Sequence, residues 1–363
     1  MLLFRYIAAK IGYSLSILWG VATLVFIIFN VIPGDPARMT LGQRSDSASL
    51  AAVRSDLGLD RPLWLQYAKY LNDLSPISIH HNTNRKSFFY LDPHAYQPFC
   101  RLITIGDRVV VVCKYPYLRR SYQQQRNVSE MILAALPATV VLAFFSIILA
   151  SLLGISLGIL AAWKNNTWID RTMLTLSSLG IAMPSFFVAI LFAWLFAFVL
   201  EPVTHLPLTG SLYEWDDWGN GRYLALQNVI LPALTLGIRP LAVVMQLMRN
   251  SLIEIMSQEY ITTARAKGLT AIQVIFRHAL RNALNPVVTS LSSWFASMLA
   301  GVVFIEYIFS WKGMGYLLVN ALQEFDLPVV MGGVLVIAII FIVVNILTDI
   351  AYALLDPRIR LSA

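Results

Sequence analysis

Two cysteines and one arginine are the residues of this chain whose type and position can do chemistry. Cys100 and Cys113 lie at the outer ends of two β-rich runs that meet at Gly106-Asp107. A two-residue hairpin turn with Gly in its first position sets Cys100 opposite Cys113. Counted outward from the pair Ile105–Arg108, this is a non-hydrogen-bonded pair, where Cα atoms sit about 4.5 Å apart, inside the range of a disulfide. The spacing therefore predicts a disulfide in an oxidising, extracytoplasmic compartment, with two ordinary unlinked cysteines as the alternative. Arg239, in Leu236-Gly237-Ile238-Arg239-Pro240, lies near the middle of an apolar window. A charge at mid-bilayer costs about 2.5–3.5 kcal/mol on insertion scales, so it must face protein or a water-filled cavity. Asp349 has no acid or His companion in the apolar windows and reads as a structural hydrogen-bonding group, not a proton relay. The chain holds no G-x-x-x-x-G-K-[ST] phosphate loop, no H-E-x-x-H, no G-x-S-x-G and no His/Cys ligand cluster.

The elements that must position these residues are membrane helices. Hydrophobic residues make up 58% of the 363 and charged residues 13%, about half the charge of an ordinary globular domain. Six windows are long enough to span a bilayer: roughly 11–31, 131–163, 173–200, 228–248, 286–305 and 329–355. Pro137 places the first turns of the long second window at the interface. The first window resembles a signal peptide, with Arg5 and Lys10 before it, but Asn30-Val31-Ile32-Pro33-Gly34-Asp35 follows instead of a small-residue cleavage site, so it reads as a retained span.

Lys and Arg in the short loops set orientation. Lys164 and Arg171, then Arg249, Arg265, Lys267, Arg277 and Arg281, mark two cytoplasmic loops, while the alternate loops are acidic. Both termini are then cytoplasmic. The formal charge of +7 reflects topology more than affinity for nucleic acid. The expected organisation is an N-terminus and first span over 1–31, an extracytoplasmic mixed α/β segment over 32–130 carrying the hairpin 100–113, and a five-span core over 131–363. Within 32–130, short helices are expected over 51–58, ending in Gly58, and from Asp60-Arg61-Pro62 onward.

The longest mostly polar, helix-patterned stretch of the second half is 251–285. Its first helix runs through Ser257-Gln258-Glu259-Tyr260 to Lys267 and ends basic, as a helix C-terminus prefers. Gly268 is the expected left-handed residue after it. Thr270 and Gln273 form a T-x-x-Q capping box for a second helix. That helix carries Ile272, Ile275, Phe276, Ala279, Leu280, Ala283 and Leu284 as an apolar stripe, and Pro286 starts the fifth span. The small residues Ala264, Ala266 and Gly268 offer close backbone approach to a partner. Clamping between two spans argues against DNA, and a helix resting on lipid headgroups is the plainer alternative for the second helix.

EYITTARAKGL followed by VIFRHALRNALNPVVT resembles the cytoplasmic coupling loop of bacterial ABC importer permeases, in detail those of the dipeptide/oligopeptide/nickel family. IPGDPARMTLG, LGLDRPLWLQYAKYL, NVSEMILAALPATV and the stretch from DLPVVMGG to LLDPRIR resemble that family in the same order. The resemblance implies an all-α membrane protein with six transmembrane helices and the type I importer fold. It implies a second, similar permease subunit, two cytoplasmic ATPase subunits and an extracytoplasmic solute-binding protein as partners, in the bacterial inner membrane. ATP and magnesium would sit on the ATPase subunits, and this chain would bind no cofactor. By position, Glu259, Tyr260, Ala264, Ala266, Lys267 and Gly268 would form the helix that docks on the ATPase. Arg239, where the family is usually uncharged, is then either a cation of the translocation path or an Arg bonded to the carbonyls freed by Pro240 or to an acid of a partner subunit. Two departures stand out: 77–114 reads as an insertion, and Lys312 replaces a usual Pro. Short peptides are the expected solute, with nickel or another small solute, a membrane-embedded enzyme and a stand-alone secondary transporter as rivals.

The cysteine register generates a direct test. Unreduced protein should run differently from reduced protein on a denaturing gel and offer no alkylatable thiol. Equal mobility with two modified cysteines would reject the bond.

Overall fold

The computed structural model describes residues 2–30, 54, 59–82, 87–93, 96, 98–106, 108–216 and 221–355. The segment after the first span, all but Arg54 of the short helix expected over 51–58, Asp107 and the tail with Arg358 and Arg360 lie outside them. The chain is mainly helical and divides into two compact units, one built around 135–316 and the other around the preceding segment together with 317–339. Four helices are long and apolar enough to cross a membrane, with windows Gly12–Phe29, Val128–Trp163, Gln227–Met256 and Leu327–Ile350, and a bent pair, Trp168–Ala182 with Ser185–Val199, makes a fifth if counted as one. Helices suit this setting because each backbone polar group is satisfied within the element itself.

In the second unit, α1 (Leu2–Asn30) and α2 (Leu63–Leu74) pack through Val25, Phe26 and Tyr70, with Met331 and Leu335. Pro62 occupies the N-cap of α2 as the sequence suggested, its φ of −56° already near helical. A strand not expected from sequence, β1 (Ile77–His81), joins β2 (Phe99–Ile105) and β3 (Val109–Lys114) in an antiparallel sheet of order β1-β3-β2.

The expected partnership of Cys100 with Cys113 is present, but the turn differs. Ile105 pairs with Val109, so the loop has three residues starting at Gly106 (φ 60°), and a register shift between Arg101 and Ile103 restores the cysteine pairing. Both cysteines are exposed free thiols, with Cys100 Sγ 3.8 Å from the Arg101 carbonyl oxygen, so the predicted bridge is not formed in this structure.

Beneath the sheet, Asp73 accepts from Tyr96 Oη at 2.7 Å and lies 3.8 Å from Lys69 and 3.6 Å from Arg119. Lys114 donates to the Asp73 carbonyl at 2.5 Å. Burial lowers the pKa of Lys114 to about 8 and of His80 to about 4, since a low-dielectric site disfavours the charged form.

In the first unit, α3 (Val128–Trp163) lies against α6 (Gln227–Met256). A Cβ at Gly154 would stand 2.9 Å from the Leu241 carbonyl oxygen, and one at Gly158 2.7 Å from that of Met245. This small-x-x-x-small spacing lets the two backbones touch.

The third window is not one continuous span. Its two helices, α4 (Trp168–Ala182) and α5 (Ser185–Trp194, continued by a wider turn to Val199), meet at 112°. Pro184 is the cause: it disfavours helical backbone at the residue before it, and Met183 is extended at ψ 136°.

The fifth window also differs. After α7 (Glu259–Ala266), α8 (Ala271–Val274) passes through a wide turn, Ile275–Ala279, directly into α9 (Leu280–Gly301), so Pro286 lies inside a helix instead of starting one. Among the described residues α9 does not join the helices apolar enough to cross. It is rich in hydroxyls, and Thr289, Ser292 and Ser297 each bond back to the carbonyl four residues earlier.

Beyond it, α10 (Val303–Ile308) places Glu306, fully buried, at the start of α11 (Met314–Gln323). Its carboxylate accepts from Thr139 Oγ1 at 2.6 Å, Gly315 N at 2.6 Å and Tyr316 N at 3.2 Å. These satisfy backbone donors that a helix start leaves open. The intervening turn needs no proline, because Trp311 N donates to the Glu306 carbonyl and its indole to the Ala138 carbonyl, leaving Lys312 exposed. The last helix is α12 (Leu327–Leu355).

Candidate functional site

The polar knob over 251–285 begins where α6 ends at Met256. Ser257 caps α6, Gln258 is extended, and α7 opens with Glu259 in its first turn and Arg265 in its last. That charge order complements the helix dipole. The turn that follows matches the sequence expectation in detail. Gly268 has φ +82°, and a Cβ there would meet nothing within 4 Å, so glycine is required by backbone conformation and not by space. Thr270 Oγ1 accepts from Gln273 N at 3.4 Å while Gln273 Oε1 accepts from Thr270 N at 3.0 Å, the reciprocal capping box.

The two faces of α7 have separate tasks. Ile261 and Ala264 are buried with Val244, Met248 and Leu252 of α6 and with Val274, Ile275, Ala279 and Ala283. Ala264 therefore does not offer itself to a partner. Its small side chain brings α7 close to the chain's own core. Glu259, Tyr260, Ala266, Lys267 and Gly268 are exposed, and Tyr260 Oη accepts from Asn282 Nδ2 at 3.0 Å.

The expected apolar stripe of the second helix also divides. Ile275, Ala279 and Ala283 face inward, while Ile272 and Phe276 are 55% and 59% exposed. The wide turn at Ile275–Ala279 rotates the helix face, a shift that a 3.6-residue period cannot register. Tyr260, Ile272 and Phe276 are thus exposed, as are the basic Lys267 and Arg277.

An ion pair that the sequence did not reveal braces the base of the knob. Arg249 of α6 donates to both carboxylate oxygens of buried Asp170, each at 2.6 Å, and to Asn165 Oδ1 at 3.0 Å. Asp170 also accepts from Asn166 N at 2.9 Å. A bidentate pair of this kind fixes geometry as well as adding energy. An acid in the first turn of a helix was the available signal; Arg249 itself had read as a loop charge. Arg239 is half-buried in α6, and its Nε is buried without a hydrogen-bond partner among the described residues. Among the described residues no group of three or more His, Cys, Asp or Glu is placed to hold a metal.

Helices long enough to cross a bilayer, interrupted by a braced and capped polar knob, define a membrane-embedded component with a fixed polar surface between two of its helices. The chain belongs to the family of binding-protein-dependent transport system inner membrane components: the family model matches residues 154–361, and the model of the family's N-terminal part matches 3–87. It is thus a multi-pass inner membrane permease component of a transport system, working in a complex with partner subunits, and not an enzyme. Similar proteins include the dipeptide transport system permease protein DppB of Escherichia coli, 35% identical over 98% of each chain. The protein of that name from Alkalihalophilus pseudofirmus is 31% identical over 98% of this chain and 99% of its own. The di/tripeptide transport system permease protein DppB of Pseudomonas aeruginosa is 32% identical over 98% of each. A solved methionine ABC transporter in an inward-facing conformation shares 16% identity at a TM-score of 0.49, over 63% of this chain and 97% of that one.

The two alanines of α7 make opposite predictions. Ala264→Leu overfills a buried site and should cost about 1–3 kcal/mol of stability, read as a lowered melting temperature in detergent. Ala266→Leu, on the exposed face, should leave melting unchanged. Equal melting of the two variants would contradict the assignment of faces.

Proposed function

We propose that this chain is the transmembrane permease subunit of an ATP-driven ABC importer that moves short peptides across the bacterial inner membrane by alternating access. The observation that carries the solute class is similarity along nearly the whole chain to dipeptide and di/tripeptide permeases. The same machine carrying nickel or another small solute is the alternative. In this reading the protein has the type I importer fold with six spans, the bent pair α4–α5 counting as the third and α9 as the fifth. Both termini and α7 lie on the cytoplasmic side, as the loop charges favour. The partners are a second, similar permease, two ATPase subunits that bind ATP and magnesium, and an extracytoplasmic solute-binding protein. This chain binds no cofactor of its own.

The geometry supports a coupling role for the knob. The exposed face of α7, with Glu259, Tyr260, Ala266, Lys267 and Gly268, meets the ATPase, and its buried face transmits the motion. When nucleotide closes the ATPase pair, displacement of α7 is passed through Ile261 and Ala264 to Leu252 and Met248 of α6, and the spans swing as rigid bodies. Gly268→Arg, which forces a Cβ onto a left-handed backbone and adds a charge to the docking surface, should abolish transport and transport-stimulated ATP hydrolysis while the protein still inserts. Normal uptake by that variant would reject the docking role.

Arg239 supplies a cation in the translocation path that meets the carboxylate or backbone of the peptide. Its Nε is buried without a partner among the described residues, so that nitrogen does not bond the carbonyls Pro240 frees; an Arg bonded to an acid of a partner subunit is the alternative. Arg239→Gln should raise the uptake KM for acidic peptides more than for neutral ones. Unchanged kinetics for both classes would reject contact with the solute. Cys100 and Cys113, opposed in register and exposed, become a disulfide when a thiol–disulfide oxidant of the extracytoplasmic space removes two electrons and two protons.

A further inference from the structure

Between the end of α3, the last turns of α6, α7 and the start of α8 lies a cleft of about 410 Å³ that the coupling role does not use. Its walls are apolar, with Leu252, Met256 and Ile275, and its rim is polar, with Asn165, Ser257 and Arg265. Among the described residues no acidic one lines it. The acid of the adjoining turn, Asp170, is already held by Arg249. Lys164 follows directly on the cleft residue Trp163, its ammonium 5.6 Å from the centre of that indole.

The cleft also has a defined depth. Trp163 is the last residue of the spanning helix α3, and it and Trp168 are 52% and 75% exposed. Tryptophans at the end of a span mark the headgroup level of a bilayer.

We propose that this cleft is a binding site for the headgroup of an anionic phospholipid. Arg265, which lines the cleft, pairs with the phosphate, Lys164 beside the cleft residue Trp163 adds positive charge to its edge, and the first acyl carbons lie along Leu252, Met256 and Ile275. One arginine on a polar rim that carries no acid, over apolar side chains at headgroup depth, fits that chemistry, whereas a zwitterionic lipid would bring its own cation beside Arg265. The lipid would bridge α3 and α7 and hold the knob against the spans. Its effect on ATP-driven transport rests on the coupling reading above; its binding does not.

The test uses the complete transporter, delipidated and titrated with phosphatidylglycerol or phosphatidylcholine, with retained lipids counted by native mass spectrometry. Wild type should retain one phosphatidylglycerol that the double variant Lys164→Gln, Arg265→Gln loses, and phosphatidylcholine should not replace it. Inorganic phosphate at matched concentration should not displace it. Equal retention by the double variant, equal retention of phosphatidylcholine, or displacement by phosphate alone would each overturn the lipid assignment. If a cysteine at 271, made as Ala271→Cys, is shielded from maleimide by the ATPase subunits whatever the lipid, the occupant is protein and the proposal fails. In nanodiscs, phosphatidylglycerol should stimulate ATP hydrolysis by wild type and not by the double variant. Should lipid retention hold while Gly268→Arg transports normally, the coupling reading has failed and the lipid site stands.

Discussion

An eight-residue helix such as α7 is not stable alone in water, because nucleating a helix costs more than so few hydrogen bonds return. It exists here because Ile261 and Ala264 are buried against α6. The rest of the site depends on that contact. α6 contributes Val229, Leu231 and Leu236 to one hydrophobic core and Val244, Met248 and Leu252 to another, so it runs through both. Close-packed interiors transmit displacement instead of absorbing it. Gly154 and Gly158 extend the same rigid contact from α6 to α3. The buried face of α7 thus shares one packed core with α6, while Gly268 and the Thr270 capping box fix the turn that follows α7.

Three buried or half-buried charged side chains are handled in three ways. Glu306 is satisfied by a hydroxyl and two backbone N–H groups at a helix start. Asp170 is satisfied by a bidentate guanidinium. Burying either without those partners would cost several kcal/mol, so both read as devices that hold α11 and the base of the knob in place. Arg239 departs from this pattern, since its Nε finds no partner among the described residues. A buried donor left open is expensive.

The sheet β1-β3-β2 shows how register can survive an error in the turn. A three-residue loop moves the strands one residue out of step, and the irregularity between Arg101 and Ile103 moves them back. Bulges commonly re-aim side chains in this way. Here the result is that both thiols share one exposed face, while Val110, Val112 and Lys114 stay beneath the other.

Local chemistry was readable from the chain alone: four of the six apolar windows, the Gly268 bend, the capping box, Pro62 at a helix start and the pairing of Cys100 with Cys113. Each follows from a preference expressed within a few residues, by φ, by a side-chain cap or by alternation along a strand. Ordered motifs along the whole chain likewise pointed to the family. What needed the folded chain was every matter of facing and continuity. Ala264 turns inward and Ala266 outward, although both are alanines in one helix, because only the position of α6 distinguishes the two sides. Ile272 and Phe276 left the apolar stripe when a wide turn, set by packing around Ile275 and Ala279, altered the helical period. Pro184 stands at a 112° break between two helices while Pro286 lies inside a continuous one, since a proline's effect depends on what surrounds the hydrogen bond it removes. The Arg249–Asp170 pair joins residues 79 positions apart, and contacts at that separation are decided by tertiary packing, which local preference does not encode.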